Sequence, residues 1–145
     1  MSEHVKMFIG GAWVDAANGA TFDATSPSTG AVIGSVPEGS RADAQRAIDA
    51  ANAAAPAWAG LSAFDRAAAM RRIATVIDER RDDLAHTLAL DQGKPLVAEA
   101  RDEVEELIAY FDMAAADATR MEGLMPPSVD ANKRVLLYRV PRGVV

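Results

Sequence analysis

Apolar residues recur along the chain on two different periods, and the change comes near residue 40. Before it the apolar runs are short. Met7-Phe8-Ile9 and Ala12-Trp13-Val14 flank Gly10-Gly11, which predicts a hairpin closed by a mirror-image turn. Asn18-Gly19 predicts a second turn, and Thr21-Phe22 begins another strand. Ser26-Pro27-Ser28-Thr29-Gly30 reads as a turn, Ala31-Val32-Ile33 as a short extended run, and Pro37 to Gly39 closes the region.

After residue 40 the spacing becomes three and four, the signature of an amphipathic helix. Ser40 can cap the first helix, with Asp43 as its capping-box partner. Ala44, Ala47, Ile48, Ala51 and Ala54 or Ala55 form its stripe. The stripe is mostly methyl groups, which predicts close packing. Pro56 is expected to end or kink this helix. Ser62 can cap a second helix, again with an Asp (Asp65) three residues on, and Met70, Ile73, Ile77 and Leu84 follow on a helical period. Asp82-Asp83 suit a fresh helix start after a break near Arg80-Arg81, because acids favour that end of the dipole. Leu84 and Leu88 lie along it. Gly93 suits the position just past its end, and Pro95 the first turn of the next.

The strongest pattern is Val97, Ala100, Val104, Leu107 or Ile108, Phe111, Ala114 or Ala115, Ala118 and Met121. A helix from Leu96 to Glu122 would be about 40 Å long. Gly123 is expected to end it, and Pro126-Pro127 to prevent its resumption. Last comes VLLYRV at 135–140, apolar on both faces of an extended chain. Such a strand is expected to be buried on both sides or to lie in an interface. Its only expected partners in the chain are the strands before residue 36.

Length adds that this is one domain. Half of the 145 residues are hydrophobic, yet only two Trp, four Phe and two Tyr are present. A core built so largely of alanine is thin. The net charge is -6, and Lys133-Arg134 is a pair rather than a patch, which argues against nucleic acid as a partner. No apolar run approaches the roughly 20 residues of a membrane span. The opening MSEHVKMF lacks the apolar stretch of a signal peptide, so the expected location is the cytoplasm. The 145 residues contain no cysteine, which excludes disulfides, thiolate metal sites and a cysteine nucleophile within them.

Candidate chemistry is sparse. Gly10-Gly11 lacks the following helix of a phosphate-cradling loop, and Gly93-Lys94-Pro95 lacks the preceding glycines and the following Ser/Thr. His4 and His86 read as solvated or locally bonded, with no second His or Asp at a useful spacing. Glu99, Asp102, Glu103, Glu105 and Glu106 read as the wet face of the long helix. Glu103, beside Val104 and Ala100, is the acid of most interest for binding a cation. From the residues alone the fold class is α+β: small strands and a hairpin, three or four helices, and a terminal strand. A packing or assembly module fits these residues better than an independent catalytic site does.

Several stretches resemble the aldehyde dehydrogenase superfamily in order and spacing. They are Phe8-Ile9-Gly10-Gly11-Ala12-Trp13-Val14, Ser26-Pro27-Ser28-Thr29-Gly30 (the family commonly opens this motif with Asn), Pro56-Ala57-Trp58, and Arg66 with its helix. The most specific is Leu90-Asp91-Gln92-Gly93-Lys94-Pro95-Leu96 through Glu99-Ala100 and Glu103-Val104. Pro141-Arg142-Gly143-Val144-Val145 completes the series. Within the superfamily, MPPS and LLYRV look most like lactaldehyde or glycolaldehyde dehydrogenases.

The resemblance covers only the N-terminal portion of a much longer family chain. It implies that residues 1–132 are the hairpin and helical part that packs on the nucleotide-binding domain. Residues 133–145 would be an oligomerisation-arm strand crossing into the first strand of a Rossmann-like domain, cut at its threshold. It implies a parent that oxidises a small aldehyde to a carboxylic acid with NAD or NADP, and that assembles as a homo-dimer or tetramer. A cysteine thiolate, an oxyanion-stabilising amide and a Glu that activates water carry the family's chemistry. None of these has a counterpart here, so no catalytic or cofactor-binding residue is carried over, and the segment alone is expected to be inactive. Some members hold a monovalent cation with backbone carbonyls near the turn before Ser26-Pro27 and an acid at the position of Glu103. The competing reading is a stand-alone, non-catalytic structural or protein-interaction module.

Overall fold

The computed structural model describes residues 3–145. Strands come first and helices after. The chain runs β1 (Glu3–His4), β2 (Met7–Ile9), β3 (Ala12–Val14), β4 (Thr21–Thr25) and β5 (Val32–Pro37), then α1 (Arg41–Ala59), α2 (Ala63–Glu79) and α3 (Arg81–Gln92). A π turn (Leu96–Ala100) leads directly into α4 (Arg101–Ala118). The α+β reading therefore holds for the strands and the helices.

The expected hairpin forms. β2 and β3 are antiparallel, and Gly10 and Gly11 take φ of 60° and 85°, the left-handed values that a two-residue mirror-image turn requires. Phe8 lies opposite Trp13, with ring centroids 5.1 Å apart and tilted. In the second sheet β5 is central, antiparallel to β4 and parallel to β1, in the order β1-β5-β4. Asn18-Gly19 and the turn at residues 26–30 form as expected, with Ser26 buried.

Ser40 caps α1 and Ser62 caps α2, each accepting a hydrogen bond from the N–H three residues on. Pro56 does not end α1, which continues to Ala59. A proline removes one N–H, and here it removes it in the last turn, where Gly60 N–H still reaches the Pro56 carbonyl at 3.0 Å. Close packing of the α1 alanines is also not found. Ala44, Ile48, Ala51 and Ala54 are exposed in this chain. The helix touches the rest chiefly through the β2 hairpin, where Ala50 sits under Gly10.

Close alanine packing occurs elsewhere. Ala67 and Ala74 of α2, Ala85 of α3, Ala100 at the end of the π turn and Ala115 in the last turn of α4 are all buried. Around Ala85, Ala100 and Val104 sit Ile77, Leu84, Leu88, Leu96 and Ile108. These methyl-lined faces form a seam between α2, α3 and α4. The seam runs through Ala100, Val104, Ile108, Phe111 and Ala115, while Val97 is exposed. The wide π turn, in which Ala100 N–H bonds the Pro95 carbonyl at 3.0 Å, rotates Val97 off the stripe.

The long helix stops at Ala118, earlier than Gly123. Gly123 serves a different need: a Cβ there would lie 2.5 Å from the Leu137 carbonyl oxygen. The expected terminal strand at 135–140 does not form among the described residues. A single antiparallel bridge pairs Leu137 with Leu124, through N–H···O bonds of 2.8 and 3.1 Å. Pro126 and Pro127 lie two and three residues beyond Leu124 and have no N–H to extend a ladder. The N-terminal strands, the expected partners, pair among themselves instead. Gly123→Ala is expected to open this bridge. Amide exchange at Leu137 should quicken by roughly tenfold or more, and unchanged protection there would contradict the close approach.

Candidate functional site

Three clusters gather the polar side chains singled out in the sequence. The first lies where α3 ends. Gly93 has φ of 71° and closes α3 through its N–H to the Ala89 carbonyl. A Cβ on Gly93 would lie 3.1 Å from Pro27 Cγ and 3.4 Å from the Ser28 nitrogen, so the turn at 26–30 rests on this glycine. The next residue, Lys94, is largely buried and places its Nζ 2.5 Å from Glu103 Oε1. The structure thus brings together the turn after Ser26, Gly93-Lys94 and Glu103. An ammonium group already stands at the Glu103 carboxylate. Among the described residues no group of three His, Cys, Asp or Glu side chains is arranged to hold a metal ion. The remaining acids behave as a wet face: Glu105 lies 3.8 Å from Arg81, and Glu99, Asp102 and Glu106 are exposed.

The second cluster is Asp43. It is buried, and its carboxylate accepts from Ser40 N–H at 2.8 Å and Ser40 Oγ at 2.7 Å. It also accepts from Ala17 N–H, shared between both oxygens at 3.2 and 3.4 Å, and from Arg46. These donors hold its pKa far below the ordinary carboxylate range, the Ser40 backbone N–H first among them. This helix start is also a place where a strand, β5, feeds a helix. A dinucleotide phosphate would need the first-turn N–H groups of that helix, but the buried Asp43 carboxylate already stands at the helix start and Asp43 N–H is given to Ser40 Oγ. The left-handed glycines stand in turns, at the α3 terminus and in the final segment, and none opens a helix after a strand. The residues present therefore do not fit a nicotinamide dinucleotide.

The third cluster was not legible in the sequence. His4 Nδ1 lies 2.8 Å from Ser35 Oγ, and His4 Nε2 lies 2.8 Å from Asp15 Oδ1. Lys6 adds an ion pair to Asp15 at 3.3 Å. The His4 hydrogen bond, followed by that of Lys6, lowers the Asp15 pKa. The order serine, imidazole, carboxylate has the composition of a nucleophile relay. Here it acts as a clasp. Ser35 is the register partner of His4 across β5 and β1, and Asp15 follows β3, so one exposed imidazole ties β1, the interior of β5 and the end of β3 together. Ser35 and Asp15 lie 31 and 11 positions from His4; the parallel β1–β5 pairing brings Ser35 to it, and Asp15 follows the β2–β3 hairpin. His86 is exposed on α3, as expected.

Comparison with known proteins gives one consistent result. A model of the "Aldehyde dehydrogenase family" matches residues 13–145. Glutarate-semialdehyde dehydrogenase of Pseudomonas aeruginosa is 41% identical over 139 residues, covering 96% of this chain and 29% of that protein. The succinate-semialdehyde dehydrogenase [NADP(+)] of Escherichia coli is 40% identical over the same share of each. Among solved structures, lactaldehyde dehydrogenase from Escherichia coli superposes with a TM-score of 0.87 at 34% identity, over 94% of this chain and 28% of that one. The succinate-semialdehyde dehydrogenase structure from Burkholderia pseudomallei gives 0.86 at 39%. The chain spans about 29% of the length of these curated relatives.

Proposed function

The chain belongs to the aldehyde dehydrogenase family, and on that premise we propose that it is the N-terminal part of an enzyme that oxidises an aldehyde to a carboxylic acid with NAD or NADP. The observation that carries this reading is the family match across residues 13–145. Within the longer protein, residues 1–132 serve as the hairpin and helical part that packs against the nucleotide-binding domain. Residues 133–145 lead through an oligomerisation arm toward that domain, in a cytoplasmic homo-oligomer. The nucleophile, the water-activating acid and the dinucleotide cradle are supplied by residues outside these 145, which contain no cysteine.

The favoured substrate is a small semialdehyde of a dicarboxylic acid. Identities of 40–42% to glutarate- and succinate-semialdehyde dehydrogenases support it. The lactaldehyde or glycolaldehyde reading rests on MPPS and LLYRV and on the 34% identity to a lactaldehyde dehydrogenase, so it stands second. Glu103 is proposed to hold a monovalent cation in the longer protein, with backbone carbonyls near the turn before Ser26-Pro27, on the strength of the family resemblance; Lys94 Nζ, 2.5 Å from Glu103 Oε1, would have to give way to that cation.

The test is turnover. The purified 145-residue chain is expected to produce no NADH or NADPH from glutarate or succinate semialdehyde, lactaldehyde or glycolaldehyde. A longer protein that contains these residues is expected to oxidise one of the semialdehydes with a kcat near ~10 s⁻¹, ordinary for an enzyme. Aldehyde-dependent reduction of the cofactor by the 145-residue chain would overturn the division of labour. A longer protein inert toward every one of these aldehydes would overturn the assignment.

A further inference from the structure

Five of the twelve arginines, Arg46, Arg80, Arg81, Arg101 and Arg120, each hold a carboxylate within 4 Å. Arg66 and Arg139 are among the seven that hold none among the described residues, although the chain has a net charge of -6. Both line one cleft of about 470 Å³, between the end of α1 and the 139–143 segment. Arg66 gives a single N–H to the Leu61 carbonyl at 2.5 Å, which anchors its guanidinium and leaves the other donors unused. Trp58, Met121, Val140 and Pro141 supply apolar walls.

We propose that this cleft is a carboxylate-binding site, built on Arg66 and Arg139, that takes an acid with a short carbon chain. A guanidinium matches a carboxylate with two parallel N–H···O bonds, and two guanidiniums on one cleft suit an anion better than a neutral ligand. The apolar walls favour an organic acid over an inorganic ion, because a carbon chain gains from leaving water and a phosphate does not. The carboxylate has two possible sources: a free small acid, or an acidic side chain from further along a longer polypeptide. The site lies apart from the Asp43-filled start of α1 and from the Lys94–Glu103 pair, and it is independent of the proposed reaction.

Trp58 reports on the cleft directly, and Trp13→Phe leaves it the sole tryptophan. Glutarate titrated into that variant of the 145-residue chain is expected to give a saturable change in Trp58 fluorescence. Arg66→Gln and Arg139→Gln should each weaken it by about tenfold, with circular dichroism unchanged. Arg139 lies outside the helices, so its substitution keeps the test open if Arg66→Gln disturbs α2. Equilibrium dialysis of glutarate against a longer protein and its Arg66→Gln and Arg139→Gln variants separates the sources. Binding there that both substitutions weaken identifies a free acid in the cleft, since glutarate held as a reaction product would not depend on them. No binding, together with a melting temperature lowered by about 3 °C in Arg139→Gln, identifies a carboxylate of the polypeptide itself. A fluorescence change reproduced by inorganic phosphate at equal ionic strength overturns the proposal. So does no response to glutarate in either protein together with unchanged melting of Arg139→Gln.

Discussion

Asp43→Ala is expected to cost the 145-residue chain more stability than any other single polar substitution, lowering its melting temperature by about 5–10 °C. One carboxylate accepts from the Ser40 N–H at the cap of α1, the Ala17 N–H after β3, the Ser40 hydroxyl and the Arg46 guanidinium. Truncation leaves all four donors without their acceptor, two of them backbone groups in a partly buried place. It also unties the strand region from the helix that follows it. Asp43→Asn should lose nearly as much, because an amide turns an N–H₂ toward groups that are themselves donors. The pH dependence has a definite sign. A carboxyl whose folded pKa is depressed contributes stability that is complete above its unfolded pKa and is lost as the pH falls toward the folded one. The ordinary value is 3.8, and Asp43 lies well below it when folded. Wild-type stability should therefore begin to fall below about pH 4 and still be falling as the pH approaches 2, while Asp43→Ala should show a shallower acid decline. A thermal melt series from pH 7 to pH 2 measures both. Parallel acid curves for the two proteins would remove Asp43 from its role as a hub.

The second large effect is self-association. Leu124, Met125, Leu136, Leu137, Tyr138 and Val140 are all exposed, Tyr138 and Val140 by three-quarters or more. They lie on two short apolar stretches, whose backbones are paired among the described residues by the single Leu124–Leu137 bridge. Unpaired extended backbone beside apolar side chains is a template for another chain. In sedimentation velocity, the weight-average mass of the 145-residue chain should rise with concentration through the micromolar range. A double substitution, Leu136→Lys with Tyr138→Lys, should move that rise to at least about tenfold higher concentration. The reason is that charge on an exposed edge opposes pairing. A compact monomer at high concentration in the unsubstituted chain would refute the expectation.

What the sequence revealed depended on the distance over which each determinant acts. Ser40 with Asp43, Ser62 with Asp65, Gly10-Gly11 and Gly93 are all set by groups within four residues. Their caps and turns follow from local chemistry, and the structure contains them. Val97 was misplaced because the stripe assumed a constant period, and one π turn shifts the register. Ala67 and Ala74 do not stand out beside Met70 and Ile73 in the sequence, because a single methyl group carries little hydrophobic signal. Close helix approach nevertheless favours the smaller side chain. Gly123 was read as a helix stop, a local role, although its constraint comes from Leu137, fourteen residues on. The His4–Ser35–Asp15 clasp depends on a parallel strand pairing that no local signal encodes. The 135–140 run was correctly seen as apolar on both faces. Its pairing was not legible, because a strand is a property of two segments.

The alanine seam between α2, α3 and α4 also has a genetic meaning. An alanine codon reaches valine, threonine, serine, proline, glycine and either aspartate or glutamate by one base change. At Ala67, Ala85, Ala100 and Ala115, which are fully buried, most of those changes add volume or charge where neither fits. Proline breaks the helix, and glycine costs about 1 kcal/mol of helix propensity. Serine alone nearly preserves the size, and it brings a hydroxyl that must bond back to its own helix. Drift at these positions is thus nearly closed in a single step. Change there requires a compensating reduction on the facing helix, so the two faces can only diverge together.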